Sequence, residues 1–579
     1  MRISTRSTLS LFLLVAVGHF GYSQNNIPVD PAVVRGTLDN GIQYYIQQNA
    51  KPEDRAELRL VVNAGSMQED EDQLGLAHFV EHMAFNGTRN FKKNELVDYL
   101  ESVGTRFGPD LNAYTSFDET VYMLQARTDS MELLEKGLLI LEDWAAGLNF
   151  SPDEIDKERG VVVSEWRTRL SPDQRMQQQY FPVLYQGSRY AKRLPIGDPA
   201  IIENADYATI KRFYDDWYRT DLMAVVAVGD FDAAWMENEI KSRFGKLTPP
   251  TQTRSKESAV IPPHEETLVS ICSDKEAPFT QVRLIYKLPR QSANDKQGYR
   301  ASIARQLYNR MLNARLYELQ QSPEPPFTFA YSGYGSDLGS IDNYYAFAFV
   351  GEGKALEGLE AVLTETRRVL LHGFNESELE REKMDMLRAA EEAMKEQDKT
   401  KSGNLASRYV YNYLKGNPIP SAEQRYAMLQ AFLPTIKADE INQFPKQWIS
   451  DKNRVLVVTA PEKEEAPLPT EADVLALMQK IDGSMPAPYV DEVVDAPLLE
   501  NLPAPAAITA EETMPELGLT RLELENGVEV YLKPTDFKNN EILMSAFSPG
   551  GHSNYADDDY RNASFAASVI DASGIGAFS

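Results

Sequence analysis

The chain has 579 residues and a mass of 65.2 kDa, which predicts three or four domains of about 100–200 residues each. Its 42% hydrophobic and 25% charged residues are typical of a globular protein and exclude collagen-like and wholly disordered classes. Acidic residues outnumber basic ones by 86 to 59, and this charge disfavours nucleic-acid binding because it repels phosphate. The single cysteine, Cys272, excludes an internal disulfide and a cysteine-based zinc cluster.

The N-terminus is predicted to be a targeting signal, residues 1–23. Arg2 and Arg6 precede an apolar run over residues 9–17, and small or polar residues follow as far as Ser23. This order is typical of a secretory signal peptide, and the apolar run is too short to span a bilayer. We therefore expect an exported protein without an integral membrane segment, located in a bacterial periplasm or secreted.

Alternating strand-like and helix-like patterns follow the signal. Three segments have strand character: Ile42–Gln47, Leu58–Asn63 and Thr120–Ala126. Four segments repeat apolar residues at helical spacing and are predicted helices: Leu74–Phe85, Lys93–Val103, Ser130–Leu148 and Pro152–Arg169.

The chain also contains an internal repeat. Residues 35–46 match residues 521–532, since the arginine, a leucine, an Asn-Gly turn and a tyrosine coincide. A weaker match joins residues 217–228 to residues 448–458, where a tryptophan precedes a buried strand pattern in each case. These matches predict tandem copies of a unit of about 200 residues.

The repeat predicts how the chain is divided. Residues 464–515 are rich in Pro, Ala and Glu and are predicted to be a linker with one short helix, Glu471–Ile481. The last copy is too short to complete such a unit, so we expect a C-terminally truncated chain. The predicted parts are the signal peptide 1–23, a first domain 24–250, a second domain 258–463, the linker 464–515 and an incomplete third domain 516–579.

The most informative segment contains His78, Glu81 and His82. At about 100° per residue, Glu81 and His82 lie about 60° and 40° on either side of His78, so the three side chains share one helix face. The residues between them are apolar, which predicts a buried helix whose imidazoles need partners. A zinc ion satisfies both imidazoles, and H-x-x-E-H is the inverted zinc-peptidase signature. The alternative is a pair of helix histidines that hydrogen-bond to neighbours or water.

A catalytic zinc takes a third protein ligand, and the helix over residues 154–166 offers two candidates. Glu158 and Glu165 are seven residues apart, so they project to the same side, about 10 Å from each other along the axis. The alternative is that either is a charged residue at the edge of a core helix. Spacing alone does not choose between the two.

These segments resemble the insulinase/pitrilysin family of zinc peptidases, which includes the mitochondrial processing peptidases. His78, Glu81 and His82 match the core motif of that family, and residues 111–122 match its active-site strand region. Residues 158–165 match its downstream pair of glutamates. The resemblance covers nearly the whole mature chain.

The resemblance implies an α+β fold of tandem metallopeptidase domains, each a mainly antiparallel sheet packed with helices. It implies that Glu165 binds Zn²⁺ and that Glu158 supports it. The gap from His82 to Glu165 is longer than is usual in the family, partly through an apparent insertion at residues 107–110, so Glu158 stays an alternative ligand. The third copy has no ligand-like residues at the equivalent positions 563–568, and a missing C-terminal half is expected to pack against this one and to help hold substrate.

Two functional hypotheses follow. In the first, the protein is a zinc-dependent endopeptidase acting on peptides or unfolded segments outside the cytoplasm, with Glu81 as the general base. Asn112 and Ala113 then bind the substrate backbone by β-addition to an edge strand, unless that strand is a plain core strand. In the second, the protein is a non-catalytic zinc- or peptide-binding scaffold. The intact Glu81 favours the first hypothesis, since a structural site needs no general base.

Overall fold

The computed structural model describes residues 26–93, 95, 104, 106, 108–249, 253–256, 259–491, 497–499, 501–574 and 578. The predicted signal peptide and most of the predicted helix Lys93–Val103 lie outside the described residues. Within those ranges, no helix combines the length and the apolar character needed to cross a membrane.

The first unit is built around a six-stranded sheet. Its strands are β1 (Val34–Thr37), β2 (Gln43–Gln48), β3 (Arg55–Val62), β4 (Leu111–Thr115), β5 (Thr120–Arg127) and β6 (Met223–Gly229). The strand order is β1-β2-β6-β3-β5-β4; β2 and β6 are parallel, and all other neighbours are antiparallel. Every residue of β6 is buried, as expected for an apolar strand in the centre of a sheet with both faces covered.

Seven described helices belong to the first unit, and all except one join the core of this sheet. They are α1 (Leu76–Met83), α2 (Met131–Ala146), α3 (Pro152–Arg169), α4 (Pro172–Leu184), α5 (Pro199–Asn204), α6 (Tyr207–Trp217) and α7 (Ala233–Phe244). α1, α2 and α3 lie within two residues of the predicted helix boundaries. The apolar side chains of the helices other than α4 form one core with the sheet, in which Trp144 of α2 and Phe213 of α6 are fully buried. α4 packs instead on the sheet of the second unit.

The second unit repeats this strand topology. Its strands are β7 (Leu268–Asp274), β8 (Thr280–Pro289), β9 (Phe329–Ser336), β10 (Ile341–Val350) and β11 (Arg454–Pro461). The order β7-β11-β8-β10-β9, with only β7 and β11 parallel, corresponds strand for strand to β2-β6-β3-β5-β4. The fold is therefore α+β, which confirms the predicted class, and the shared topology supports tandem copies whose boundaries stay predictions.

The helices of the second unit follow the same plan, with one exception. They are α8 (Lys296–Gln320), α9 (Ala355–His372), α10 (Glu376–Lys395), α11 (Ser402–Lys415), α12 (Ala422–Phe432), α13 (Ala438–Ile441), α14 (Phe444–Trp448) and α15 (Glu471–Asp482). The exception is α11, which packs on the other face of the first sheet, where Tyr409 stacks on Tyr45 with ring centroids 5.8 Å apart. The two units thus share a buried core.

The C-terminal residues form a small sheet of β12 (Ile508–Met514), β13 (Leu519–Leu524) and β14 (Glu529–Leu532), followed by α16 (Tyr560–Ala572). The sequence repeat is visible in its register. Arg35 pairs with Tyr45 across β1 and β2, and the matching Arg521 pairs with Tyr531 across β13 and β14. The matched segments are therefore equivalent hairpins, each with an Asn-Gly turn.

The surroundings of α15 differ from those expected of a linker beginning at residue 464, because this helix is packed against the second unit. Val474 and Met478, one helical turn apart, are buried in the core of the second unit. α15 packs against α9. The apolar residues recur at helical spacing on one face, so the segment has a stripe to bury and does not behave as a free linker.

We predict that Met478→Ala lowers the free energy of unfolding by about 2–5 kcal/mol, because it leaves a cavity in a packed core. Met485→Ala is the matched control: Met485 follows α15 and is 76% exposed, so its truncation removes little buried surface. Urea unfolding of both variants measures the difference. Equal stability of the two variants contradicts the packing described for α15.

Candidate metal centre

Helix α1 carries the H-x-x-E-H motif and is buried between other elements. It packs against α3, α6 and β4, and its apolar residues are buried in the first core. Gly75 precedes the helix with φ = 96°, in the left-handed region that favours glycine. A Cβ at this position lies only 3.0 Å from Cα of Gly197, so the close approach of two backbones also requires glycine.

The structure brings three of the predicted site residues together. Nε2 of His82 lies 3.0 Å from Oε2 of Glu165, and Nε2 of His78 lies 3.8 Å from Oε1 of the same carboxylate. One donor atom from each of the three residues lies within 4.8 Å of the others. α3 thus delivers Glu165 opposite the two imidazoles of α1.

This donor set fits a divalent metal ion. Ligand atoms about 2.0–2.1 Å from a tetrahedral zinc are separated by about 3.3 Å, and the observed 3.0 and 3.8 Å lie on either side of that value. Two imidazoles and one carboxylate are a ligand set of catalytic zinc sites, which leave a further position open. Nε2 is the ring atom of His78 that faces Glu165. Its Nδ1 is buried and has no hydrogen-bond partner in the described part of the chain.

Glu158 occupies a different position from Glu165. Its Oε1 lies 2.8 Å from Nδ1 of His82, and its side chain is buried. The contact fixes the ring and leaves Nε2 of His82 facing Glu165, which is the usual way a carboxylate orients a metal-binding histidine. The geometry therefore favours Glu165 over Glu158 as the third ligand.

The charges of this cluster depend on the acids around it. Burial opposes a charge on His82, but hydrogen bonds to Glu158 and Glu165 outweigh it and raise its pKa to about 9. The hydrogen bond from His82 in turn lowers the pKa of Glu165. Burial lowers the pKa of His78, which keeps that imidazole neutral. The carboxylate of Glu165 faces both Nε2 atoms, and a metal ion bound there would therefore take the place of the proton on His82.

Glu81 lies on the same helix face, outside the three converging donors. It is buried, and its Oε2 accepts a hydrogen bond of 2.5 Å from Oγ1 of Thr115 on β4. Burial raises the pKa of Glu81 to about 7, although the Thr115 hydrogen bond acts in the opposite direction. A carboxyl group that titrates near neutral pH is suited to proton transfer.

Asn112 and Ala113 lie on β4, the last strand of the first sheet. Asn112 is exposed, and its Oδ1 accepts a hydrogen bond from the backbone N–H of Ala113 at 2.9 Å. β4 pairs only with β5 among the described strands, so its other edge is available to an added strand. This location is consistent with an edge strand and not with a plain core strand.

The sequence pattern does not predict two contacts of the site: Thr115 with Glu81, and the ion pair that Arg169 forms with Glu165 one helical turn away. The spacing along the strand does indicate where the side chain of Thr115 points. Thr115 lies two residues after Ala113 on a strand, so both side chains share the face directed at α1. The partner of Thr115 could not be read from the sequence, because it lies on a different element.

Family comparisons agree with this site. The model of the insulinase peptidase family, M16, matches residues 44–192, which contain every site residue described above, from His78 to Glu165. A second model, described as the inactive domain of M16 peptidases, matches residues 204–386. That match begins inside the first unit, before β6.

Curated relatives are zinc proteases by name. "Zinc protease PQQL-like" of Arabidopsis thaliana is 34% identical over 92% of this chain and 53% of the relative. "Probable zinc protease PqqL" of Haemophilus influenzae is 29% identical over 100% of this chain and 62% of the relative. The chain therefore spans only 53–62% of the length of these relatives.

Solved structures give the same result. The crystal structure of the periplasmic protease PqqL from Escherichia coli matches with a TM-score of 0.76 and 28% identity, over 95% of this chain and 61% of that one. The structure of the first half of that protease matches with a TM-score of 0.75 and 29% identity, over 80% of this chain and all of that one. The motif, the fold and these matches confirm the resemblance: the chain belongs to the insulinase family of peptidases, M16.

Proposed function

We propose that this protein is a zinc-dependent endopeptidase that hydrolyses peptides or unfolded polypeptide segments. The observation that carries the proposal is the convergence of His78, His82 and Glu165 beside the buried carboxyl of Glu81. The names of the relatives support zinc as the metal. When bound, zinc polarises the scissile carbonyl and lowers the pKa of a water molecule, so that both partners of the hydrolysis become more reactive.

The residues of the chain have separate tasks in this reaction. Nε2 of His78, Nε2 of His82 and the carboxylate of Glu165 hold the ion, and Glu158 keeps the His82 ring in its orientation. Thr115 is hydrogen-bonded to Oε2 of Glu81, so Oε1 of Glu81 accepts a proton as water adds to the carbonyl carbon. The same oxygen returns that proton to the nitrogen of the leaving amine when the C–N bond breaks.

The free edge of β4 offers a place for the substrate backbone. An extended peptide added along β4 forms main-chain hydrogen bonds, which do not depend on side-chain identity. Because Thr115 of this strand contacts Glu81, such a peptide lies close to the proposed general base. This binding mode favours unfolded or extended substrates over folded ones.

We also propose that the protein is exported and acts outside the cytoplasm. The pattern of residues 1–23 supports export. A relative in Escherichia coli is a periplasmic protease by name. Proteomic identification of a mature N-terminus near Gln24 in the extracytoplasmic fraction tests this proposal, and an uncleaved cytoplasmic chain contradicts it.

Glu81→Gln is expected to keep its zinc but to lose at least about 100-fold in kcat/KM, because the amide cannot accept the proton. Cleavage of a quenched fluorescent peptide and zinc content by elemental analysis give the two readouts. Glu265→Gln, a charge-matched change at an exposed residue of the second unit, is the control and should cleave like wild type. Equal rates in the Glu81 variant and wild type exclude Glu81 as the general base and favour a scaffold.

The two candidate third ligands can be separated by affinity. Glu165→Ala is expected to lose stoichiometric zinc, because it removes one of three donors. Glu158→Ala should keep the stoichiometry and bind about 10–100-fold more weakly, because only the orientation of His82 is lost. Competition with a chromophoric chelator measures both affinities. Stoichiometric zinc in the Glu165 variant and none in the Glu158 variant reverses the assignment.

The edge-strand proposal predicts a change in substrate affinity. Asn112→Ala should raise KM several-fold with little change in kcat, because the side chain lies at the proposed peptide edge and not at the reacting atoms. Asn294→Ala, an exposed asparagine of the second unit, is the matched control. A fall in kcat without any change in KM argues against peptide binding at this edge.

A further inference from the structure

Glu69 is a fully buried acid outside the proposed metal centre. Its Oε1 accepts hydrogen bonds from the backbone N–H groups of Gly75 at 3.0 Å and Ala77 at 2.8 Å. Its Oε2 is buried without a hydrogen-bond partner among the described residues. All hydrogen bonds of this carboxyl group are therefore directed at the beginning of α1.

α1 needs such a partner because of its own N-terminus. The first N–H groups of a helix have no acceptor within the helix, and a side chain just before it usually supplies one. That position is Gly75, which has no side chain, and both its φ of 96° and the close approach of Gly197 disfavour one. Glu69 supplies the acceptor from six residues upstream, through the two hydrogen bonds to Oε1.

Glu69 is itself anchored to a distant part of the chain. Its backbone carbonyl accepts hydrogen bonds from the guanidinium groups of Arg189 and Arg193, and Arg193 is only 2% exposed. Oγ of Ser66 donates to the carbonyl of Arg193 at 2.6 Å. The beginning of α1 is thus tied through Glu69 to a buried polar network and does not depend on local sequence alone.

The other end of α1 is fixed in the complementary way. Nε1 of Trp144 donates a hydrogen bond of 3.1 Å to the carbonyl of Ala84, directly after the helix. An acceptor therefore holds the N-terminal end and a donor holds the C-terminal end. Since His78 follows Ala77 directly, a shift of the N-terminal end moves the first of the three metal donors.

We propose that Glu69 is a positioning residue of the metal centre, which sets the distance between His78 and Glu165 by capping α1. The inference rests on the proposed zinc site. Metal sites require their ligands within about 0.5 Å of the productive geometry, and removal of a supporting partner typically weakens metal binding about 10–100-fold. Glu69 touches neither metal nor substrate in this account and acts only through the helix.

Two variants separate the cap from the carboxylate charge. Glu69→Gln keeps an acceptor oxygen for Gly75 and Ala77, and its zinc affinity should stay within about threefold of wild type. Glu69→Leu has a similar volume and no acceptor, and its affinity should fall at least about tenfold. Competition with a chelator measures zinc affinity directly, without any assay of cleavage. Rescue by glutamine distinguishes positioning from a general requirement for the acid.

Asp232→Ala is the control for stability alone. Asp232 caps α7, with a hydrogen bond of 2.7 Å from the N–H of Trp235, and α7 packs on β2 and α2, away from the metal donors. This variant should have a lower Tm and unchanged zinc affinity. If zinc affinity falls by the same factor in Asp232→Ala and Glu69→Leu, the effect is loss of stability, and the inference is overturned.

Equal zinc affinities of the glutamine and leucine variants also overturn the inference. If the leucine variant does not fold, Glu69→Asp takes its place. It keeps the carboxyl group on a side chain one methylene shorter and should bind zinc at least about fivefold more weakly, whereas an unchanged affinity contradicts the proposal. If the wild-type protein binds no zinc, both the proposed function and this inference are overturned. If the wild-type protein binds zinc and the two variants have equal zinc affinities, only the inference is overturned.

Discussion

The candidate metal centre depends on one constraint: its ionisable side chains are buried away from water and therefore need partners. His78, Glu81 and Glu158 are buried, and a buried ionisable group is costly unless it is paired. The pairing is distributed over three elements: α1 supplies the imidazoles, α3 supplies two acids and β4 supplies the Thr115 hydroxyl. The carboxylate of Glu165 faces the two Nε2 atoms, and this set of donors fits a cation.

The fold meets this constraint through the register of α3. Glu158 and Glu165 are separated by about two helical turns, so both face α1, while Val162 and Val163 between them join the core. Glu158 contacts one nitrogen of the His82 ring and Glu165 faces the other. A helix shifted by one residue along this contact loses both acids from the site. Packing and chemistry therefore depend on the same alignment of two helices.

Local pattern and spacing predicted the α1 and α3 helices, the H-x-x-E-H face and the hairpin repeat, because each depends on residues close together in the chain. Spacing left Glu158 and Glu165 undecided, since their roles depend on which nitrogen of His82 each one reaches. The sequence pattern also does not predict that Glu69 caps α1. A typical cap lies next to its helix, whereas this one acts across a turn because Gly75 at the capping position has no side chain. The roles of Glu158, Glu165 and Glu69 depend on contacts between elements that are distant in the chain.

β4 links the two functions that a peptidase site must combine. Its free edge is where a peptide backbone can add, and its Thr115 hydroxyl is the hydrogen-bond partner of Glu81. In the proposed function, one short strand therefore determines both where a substrate would lie and how the proposed base is oriented. Since α1 packs against β4 and carries the metal donors, the distances from substrate to base and from substrate to metal are set by the same packed contact. Catalytic geometry here is a property of the α1–β4–α3 packing and not of the motif alone.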